Sequence, residues 1–199
     1  MKKGYDISHW AGEINWMQVA YNRPDFLIFK ASDGNWEMYR YRENFDSKLI
    51  PNWERSIKYV KSASVFDTYH WLANGKDANW QADLVQFVNL TLDPTPHMTW
   101  LDAEEKTPGG SWPKFKTVWD VCDGTYTSPG WLDWASRTWG KCPFNLADKP
   151  LYLAQYPTTL DLNKPPLAPR PWNYWTIWQC NKNYKVPGIP GGVSLDVME

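Results

Sequence analysis

The segment "FLIF" (residues 26–29) is apolar at four successive positions. A strand that is buried on one face alternates apolar and polar residues, so an unbroken apolar run predicts a strand covered on both faces, as in a parallel sheet. Similar short runs recur along the chain. The predicted strands are residues 3–8, 26–31, 64–71, 98–104, 124–127, 151–156, 174–180 and 193–197.

Helical patterns lie between the early strands and are missing between the late ones. Pro51, Asp77 and Pro113 each stand near the start of a segment with apolar residues at helical spacing, and "GWLDWASRTW" (130–139) is a weaker fourth case. Residues 163–172, "NKPPLAPRPW", cannot form a helix interior because of their prolines. The order predicts an α/β barrel related to the (β/α)8 type, with its later helices reduced.

Length and composition limit the classes of protein. With 199 residues and 43% hydrophobic content, the chain is expected to form one domain over residues 1–199. The net charge of −1 does not suggest a nucleic acid partner or an anionic membrane surface. The sequence also contains no apolar run long enough for a membrane span and no secretory signal, so we expect a soluble, unexported chain.

Three cysteines, Cys122, Cys142 and Cys180, are an odd number without a CxxC motif. This argues against a disulfide framework and against a zinc site, and favours thiols in the core. A bridge between Cys122 and Cys142 remains an open alternative at this stage.

The segment "MTWLDAEE" (98–105) places two carboxylates two residues apart on one predicted strand. Side chains two apart point the same way, with α-carbons about 6.5–7 Å apart, so Asp102 and Glu104 share a face. Leu101 and Ala103 take the other face, toward the helices. Asp6 and Asp196 lie on the first and last predicted strands, and we expect all four acids to meet where active sites of such barrels lie, at the C-terminal strand ends.

Carboxylates that share a buried face raise each other's pKa, so one of them keeps a proton near neutral pH. A proton donor beside a permanent carboxylate is the arrangement that cleaves glycosidic bonds. Two alternatives stay open: the acids are surface charge, or they hold Mg²⁺ or Ca²⁺. No metal-site motif supports the second, and His9 and His70 are interpreted mainly as structural histidines.

The chain contains 15 tryptophans. Most are expected in the core, but those at strand ends can offer a flat apolar surface to a sugar ring. Trp10, Trp71 and Trp178 are the candidates for stacking, with core packing as the alternative for each. Gln179 is a candidate to bind sugar hydroxyls near Asp196.

Several motifs in order resemble those of glycoside hydrolase family 25, the Chalaropsis-type lysozymes. The resemblance covers nearly the whole chain. The motifs are "GYDISHWAGEINW" (4–16), "FLIFKASDG" (26–34), "TYHW" (68–71), "WLDAEE" (100–105), "YTSPGW" (126–131), "LYLAQY" (151–156), "YWTIWQC" (174–180) and "SLDVM" (194–198).

The resemblance implies a (β/α)5(β)3 barrel that hydrolyses the β-1,4 bond between N-acetylmuramic acid and N-acetylglucosamine in peptidoglycan. It implies that Glu104 is the general acid and then the base, and that Asp102 orients the substrate's N-acetyl group. Asp6 and Asp196 match the family's other acidic positions, and Tyr69 matches its Tyr-His-aromatic motif. It also implies net retention, with the substrate's acetamido oxygen as a candidate nucleophile.

Three positions depart from the family pattern. Asp33, a candidate to bind substrate, stands where Glu is common, Trp71 replaces a more usual Phe, and Val197 follows Asp196 where Asn is frequent. None of these changes removes a proposed catalytic carboxylate.

We therefore expect a muramidase that needs no cofactor or metal and acts as a monomer on bacterial peptidoglycan strands. Without a signal or a wall-binding module, it is expected to resemble a phage-type endolysin, cytoplasmic until released, although an excised domain of a secreted enzyme would look the same. The rival hypotheses are a non-catalytic carbohydrate-binding barrel and a chitin-directed glycosidase.

Overall fold

A closed barrel of eight strands organises the chain. The computed structural model describes residues 1–35 and 45–199. Each predicted strand is present, with small shifts of its ends. The strands are β1 (Lys2–Ile7), β2 (Phe26–Asp33), β3 (Val65–Trp71), β4 (Thr99–Ala103), β5 (Gly124–Thr127), β6 (Leu151–Ala154), β7 (Ile177–Tyr184) and β8 (Val193–Met198).

Strands β1 to β7 are parallel to one another, and β8, which closes the barrel between β7 and β1, is antiparallel to both. The C-terminal ends of the first seven strands therefore meet at one mouth of the barrel. Because β8 runs the other way, it starts at this mouth and leads away from it.

Among the described residues, five α-helices connect the first six strands, which confirms the (β/α)5(β)3 architecture. Asp77 accepts a hydrogen bond from the Trp80 amide at 2.8 Å and caps its helix as predicted. The first helix, only six residues long, was not predicted because it is too short to show a periodic apolar stripe. Within the described residues no helix is long and apolar enough to cross a membrane. The helices are α1 (Trp16–Tyr21), α2 (Leu49–Tyr59), α3 (Ala78–Thr91), α4 (Trp112–Asp120) and α5 (Pro129–Trp139).

The strands separate two apolar clusters. Leu101 and Ala103 belong to the larger cluster, between the barrel wall and the helices, as predicted. The inner cluster occupies the barrel interior and draws on early positions of the strands. Its fully buried members include Phe26, Ile28, Trp100 and Ile177. The end of the interior opposite the mouth is therefore filled with apolar side chains.

The three cysteines are free thiols, and Cys122 and Cys180 are buried. This agrees with the interpretation of core thiols. Cys142, which is only partly buried, directs its thiol to the Phe144 carbonyl oxygen at 3.2 Å. The open alternative of a bridge between Cys122 and Cys142 is thus not realised.

Gly124 makes room for the largest ring of the inner cluster. A β-carbon at this position would lie 2.4 Å from the indole of Trp100, which is fully buried and bonded through its Nε1 to Asp67 at 2.9 Å. Gly4 stands in the same relation to the ring of Phe26. These two glycines thus leave room for the large aromatic side chains that fill the barrel interior.

We expect Gly124→Ala to lower the free energy of unfolding by about 1–3 kcal/mol, because the new methyl group overpacks the barrel interior. Gly130→Ala is the matched control: it lies in the first turn of α5, and its nearest neighbouring atom, the Lys106 Nζ, would be 3.6 Å from the new carbon. The control should be neutral or stabilising by up to about 1 kcal/mol. Urea unfolding of the two variants measures both, and equal effects would contradict the overpacking.

Candidate active site

A cleft of about 400 Å³ opens at the C-terminal mouth of the barrel. It brings together most residues that were predicted from the sequence, namely Asp6, Trp10, Tyr69, Trp71, Asp102, Glu104 and Gln179. It also includes residues that were not predicted, namely Ser8, Lys30, Tyr126, Tyr152, Tyr156, Lys182 and Ser194.

Asp102 and Glu104 face the cleft from the end of β4. Asp102 is still within the strand and is 4% exposed, while Glu104 follows its last residue and is half-buried. The Oδ1 atom of Asp102 is buried and has no hydrogen-bond partner among the described residues. A buried acceptor without a partner is costly unless a ligand supplies the donor. Asp102 is therefore placed to receive an N–H or O–H group from a bound molecule.

The acids of the cleft hold their protons more tightly than free carboxyls. Burial, followed by the charge of Glu104, raises the pKa of Asp6 to about 7. Burial and then the charges of Glu104 and Asp6 raise the pKa of Asp102 well above its usual value. Burial also raises the pKa of Glu104, and Lys30 opposes this shift. The three carboxyls thus titrate as an interacting group that keeps a proton near neutral pH.

Gln179 connects the acids to three tyrosines. Its Oε1 accepts a hydrogen bond from the Tyr126 hydroxyl at 2.8 Å and another from the Tyr156 hydroxyl. Its Nε2 donates to Asp6 Oδ2 at 3.1 Å and to the Tyr152 hydroxyl at 3.2 Å. The side chain is 2% exposed. Its role in the structure is therefore to orient Asp6, and only the small exposed part of its side chain can contact a ligand in the cleft.

Lys30 was not predicted as a residue of the cleft, although its place in the alternation of β2 indicates it. Phe26 and Ile28 point into the barrel, so the same alternation along β2 places Lys30 inward at the mouth. Its Nζ forms a buried ion pair with Asp33 Oδ2 at 2.7 Å and lies 5.3 Å from the centre of the Trp71 ring.

The prediction that Asp33 binds substrate needs correction. Asp33 is 8% exposed and does not line the cleft. Besides the ion pair with Lys30, its Oδ1 accepts a hydrogen bond from the Asn35 amide at 2.9 Å. Asp33 therefore positions Lys30 and has no surface for a ligand in this cleft.

Asp196 lies beneath the cleft and does not line it. It is fully buried, and strand pairing sets it level with Gly4 and Gln179, whereas Ser194 is level with Asp6. The prediction treated the C-terminal part of β8 as the mouth, but β8 is antiparallel and leads away from it. Burial, followed by the charge of Asp6, raises the pKa of Asp196 well above its usual value. Tyr152 and Gln179 lie close to its carboxyl and oppose this shift, without meeting hydrogen-bond geometry.

Trp178 does not face the cleft, contrary to the prediction. It is 1% exposed, packs with the outer apolar cluster and donates its Nε1–H to the Gln155 carbonyl oxygen at 2.6 Å. Adjacent strand residues point to opposite sides, so Trp178 and Gln179 could not both have faced the mouth. The core-packing alternative holds for this tryptophan.

Trp10 has the exposure expected of a ligand platform. It lies in a short 3-10 helix (His9–Ala11) directly after β1, is 77% exposed, and lines the cleft. His9 is held beneath it: its Nδ1 is 2.6 Å from Asp46 Oδ2, and its ring centre is 4.4 Å from that of Trp10. Trp71 and Tyr69, half-buried, complete the aromatic wall.

His70 is a structural residue, as expected. Its Nδ1 is 2.8 Å from the Ser32 hydroxyl and its Nε2 is 3.3 Å from Gln81 Oε1. Burial lowers its pKa to about 4, so it is neutral at physiological pH. In the part of the chain that the structure describes, no group of three or more His, Cys, Asp or Glu side chains is suited to hold a metal ion.

Comparison with known proteins agrees with this geometry. The family model described as "Glycosyl hydrolases family 25" matches residues 5–189. Lysozyme M1 of Streptomyces globisporus is 25% identical to the chain over 213 residues, a match that covers 98% of this chain and 65% of that protein. The chain thus spans slightly less than two thirds of the length of this relative.

Solved structures share the fold. The lysozyme of Streptomyces coelicolor superposes with a TM-score of 0.73 at 21% identity, covering 100% of this chain and 92% of that one. The catalytic domain of an endolysin from a bacteriophage of Listeria monocytogenes gives a TM-score of 0.64 at 17% identity, covering 100% of this chain and 93% of that one.

The raised pKa of Asp6 predicts a pH-dependent cost to stability. Between an unfolded pKa near 3.8 and a folded value of about 7, the folded state binds more protons, so stability falls as pH rises through this window. Asn at position 6 can still accept the Gln179 hydrogen bond but carries no charge. Since Asp6 is only half-buried, solvent screening reduces the cost of its charge, and we expect Asp6→Asn to stabilise the protein by about 1–2 kcal/mol at pH 8 and by nothing measurable at pH 4.

Chemical denaturation at the two pH values measures this gain. Asp133→Asn is the control, because Asp133 is 58% exposed and pairs with Arg137 one helical turn away. It should change stability by less than about 0.5 kcal/mol at either pH. A gain for Asp6→Asn that is the same at pH 4 and pH 8 would contradict the electrostatic origin.

Proposed function

Since the chain belongs to the glycosyl hydrolases of family 25, we propose that it is a muramidase that cleaves the β-1,4 bond between N-acetylmuramic acid and N-acetylglucosamine in bacterial peptidoglycan. The observation that carries the proposal is the Glu104 carboxyl in the cleft, with a pKa raised by burial, two residues along β4 from the buried Asp102. A carboxylic acid beside further carboxyls is what glycosidic cleavage requires.

Glu104 acts as the general acid. It is more accessible than Asp102, and its extra methylene group lets it reach further into the cleft. In the first step it donates its proton to the glycosidic oxygen as the bond to the sugar's anomeric carbon breaks. The departing chain leaves with a new hydroxyl group, and Glu104 becomes a carboxylate.

Asp102 acts on the substrate's acetamido group. Its unpartnered oxygen accepts the acetamido N–H, which orients the acetamido oxygen toward the anomeric carbon and stabilises the positive charge that develops there. Attack by that oxygen gives a cyclic intermediate. Glu104 then removes a proton from a water molecule that opens the ring, and the configuration is retained.

Asp6 and Asp196 support the reaction from the other side of the barrel. Asp6 is held by Gln179 and adds negative charge near the reacting sugar. Asp196 lies one level deeper and acts through its neighbours, not by contact with substrate. No step of this mechanism requires a metal ion or an organic cofactor.

The proposal extends to where the protein works. We place its action on the glycan strands of the bacterial wall, as a single subunit. Storage in the producing cell until release, in the manner of an endolysin, is supported by the fold shared with an endolysin catalytic domain.

Glu104→Gln should abolish catalysis, because Gln cannot donate the proton that the leaving oxygen needs. We expect clearing of a bacterial cell-wall suspension to slow by about a hundred- to ten-thousandfold. Glu105→Gln is the matched control. Glu105 lies outside the cleft, where its Oε2 accepts the Asn74 amide at 2.7 Å, and a Gln oxygen can accept the same bond.

The outcomes separate the rival functions. Equal clearing by wild type and Glu104→Gln would remove Glu104 from the mechanism, and no clearing by wild type would favour a carbohydrate-binding barrel. Muramic acid at the new reducing end identifies the bond that is cut. Cleavage of chitin oligomers in place of wall glycan would favour the chitin-directed hydrolase.

Trp10→Ala should weaken substrate binding without affecting folding, because the indole is exposed and its removal leaves no cavity. We expect KM for soluble wall glycan to rise about three- to tenfold and kcat to stay nearly constant. Tyr21→Ala, at an 82% exposed position on α1 outside the cleft, is the control and should leave KM unchanged. Equal KM values for wild type and Trp10→Ala would exclude stacking.

A further inference from the structure

Two lysines line the cleft, and their environments differ. Lys30 is buried and its charge is balanced by Asp33 at 2.7 Å. Lys182 is exposed and forms no ion pair or hydrogen bond with any described residue. Its ammonium lies 5.7 Å from the centre of the Tyr156 ring. Lys182 therefore offers a cation at the cleft whose charge no described carboxylate balances.

Lys182 stands where β7 extends beyond the mouth. The strand continues past Gln179 to Tyr184, and its pairing with β8 is irregular in this extension. The connection from β7 to β8 packs against the 3-10 helix that contains Trp10. A β-carbon at Gly191 in this connection would be 2.2 Å from the Trp10 carbonyl oxygen. β8 lies between β7 and β1 in the barrel, so Lys182 on β7 and Trp10 after β1 stand on either side of β8 at the mouth.

Two hydroxyl groups lie between these flanking residues. Ser194 is paired with Asp6 across β8 and β1, and Ser8 follows the end of β1. Both line the cleft. This side therefore presents an aromatic face, two hydroxyls and a cation, which we call the β1–β8 rim (Ser8, Trp10, Lys182 and Ser194). Such a set suits a sugar that carries a negatively charged substituent.

The charge of the cleft makes a cation at this position selective. Asp6, Asp102 and Glu104 carry negative charge when ionised, so they repel an acidic substrate and leave a neutral one unaffected. A carboxylate on the substrate is tolerated best where it lies away from these acids and beside a positive charge. Lys182 supplies this positive charge from β7, whereas Asp102 and Glu104 lie at the end of β4.

We propose that Lys182 binds a carboxylate of the muramic acid unit and thereby makes the cleft select acidic wall glycan over neutral chitin-type glycan. The proposal rests on the function proposed above and assigns the residue that determines its substrate class. The carboxylate belongs either to the lactyl ether of the sugar or to the peptide that is attached there, and the chemistry at Lys182 is the same.

Lys182→Met tests this assignment, because it removes the charge but keeps an unbranched apolar chain beside Tyr156. Lys182→Arg keeps the charge and should restore binding. Lys185→Met is the matched control, since Lys185 is an exposed lysine in the following connection that does not line the cleft. The substrates are peptide-free glycan strands with free lactyl carboxylates, strands that carry their peptides, and a neutral chitin oligomer as a competitive ligand.

At low ionic strength we expect Lys182→Met to raise KM for acidic glycan about three- to tenfold, with kcat unchanged. The inhibition constant of the chitin oligomer should change less than about twofold, as expected for a ligand without a charge. A rise only on peptide-free strands assigns the contact to the lactyl carboxylate, because that group becomes an uncharged amide when the peptide is attached. A rise only on peptide-bearing strands assigns the contact to a carboxylate of the peptide, and a rise on both kinds means that each carboxylate reaches Lys182. All three results support the proposal.

Three results would overturn it: no rise in KM, an equal loss of affinity for the neutral oligomer, or the same rise in Lys185→Met. Binding to Glu104→Gln, followed by tryptophan fluorescence, separates this proposal from the catalytic one. If wild type fails to hydrolyse wall glycan but acidic strands still bind in a manner that depends on Lys182, the selectivity stands and the muramidase function fails.

Discussion

The alternation of side chains along the strands of a closed barrel is the constraint on which the structure depends. Inward positions in the apolar interior carry Ile28, Trp100 and Ile177, and the next inward positions toward the mouth carry Lys30, Asp102 and Gln179. A shift of one residue would exchange inner and outer faces along a strand. The same periodicity therefore builds the apolar interior and gathers the polar groups at one end.

Gathering acids in this way costs stability, and the surrounding residues limit the cost. Gln179 donates to Asp6, and Lys30 lowers the pKa of Asp6, Asp102 and Glu104 while Asp33 fixes its position. The compensation is incomplete, since all three acids keep a raised pKa. An incompletely compensated carboxyl is also a reactive one, so the residual cost and the proposed chemistry have one origin.

Sequence patterns predicted the barrel, its strands and most of the cleft, because these follow from local periodicity and from motifs. The predictions failed where a residue's position depended on the direction of its strand or on the side of the sheet to which its side chain points. The direction of β8 decides that Ser194 reaches the mouth while Asp196 stays below it, and no local pattern encodes that direction. Strict alternation would have excluded Trp178 and identified Lys30. The role of Asp33 depends on a side-chain pairing across three residues of β2, which the sequence leaves open.

The apolar filling of the barrel has a consequence for how a polymer meets the protein. An eight-stranded barrel is only wide enough inside for side chains, and here Phe26, Trp100 and Ile177 occupy the far end. A glycan strand cannot pass through a barrel that is closed at its far end. In the proposed reaction the strand lies across the opening, and both fragments leave by the route along which the strand entered.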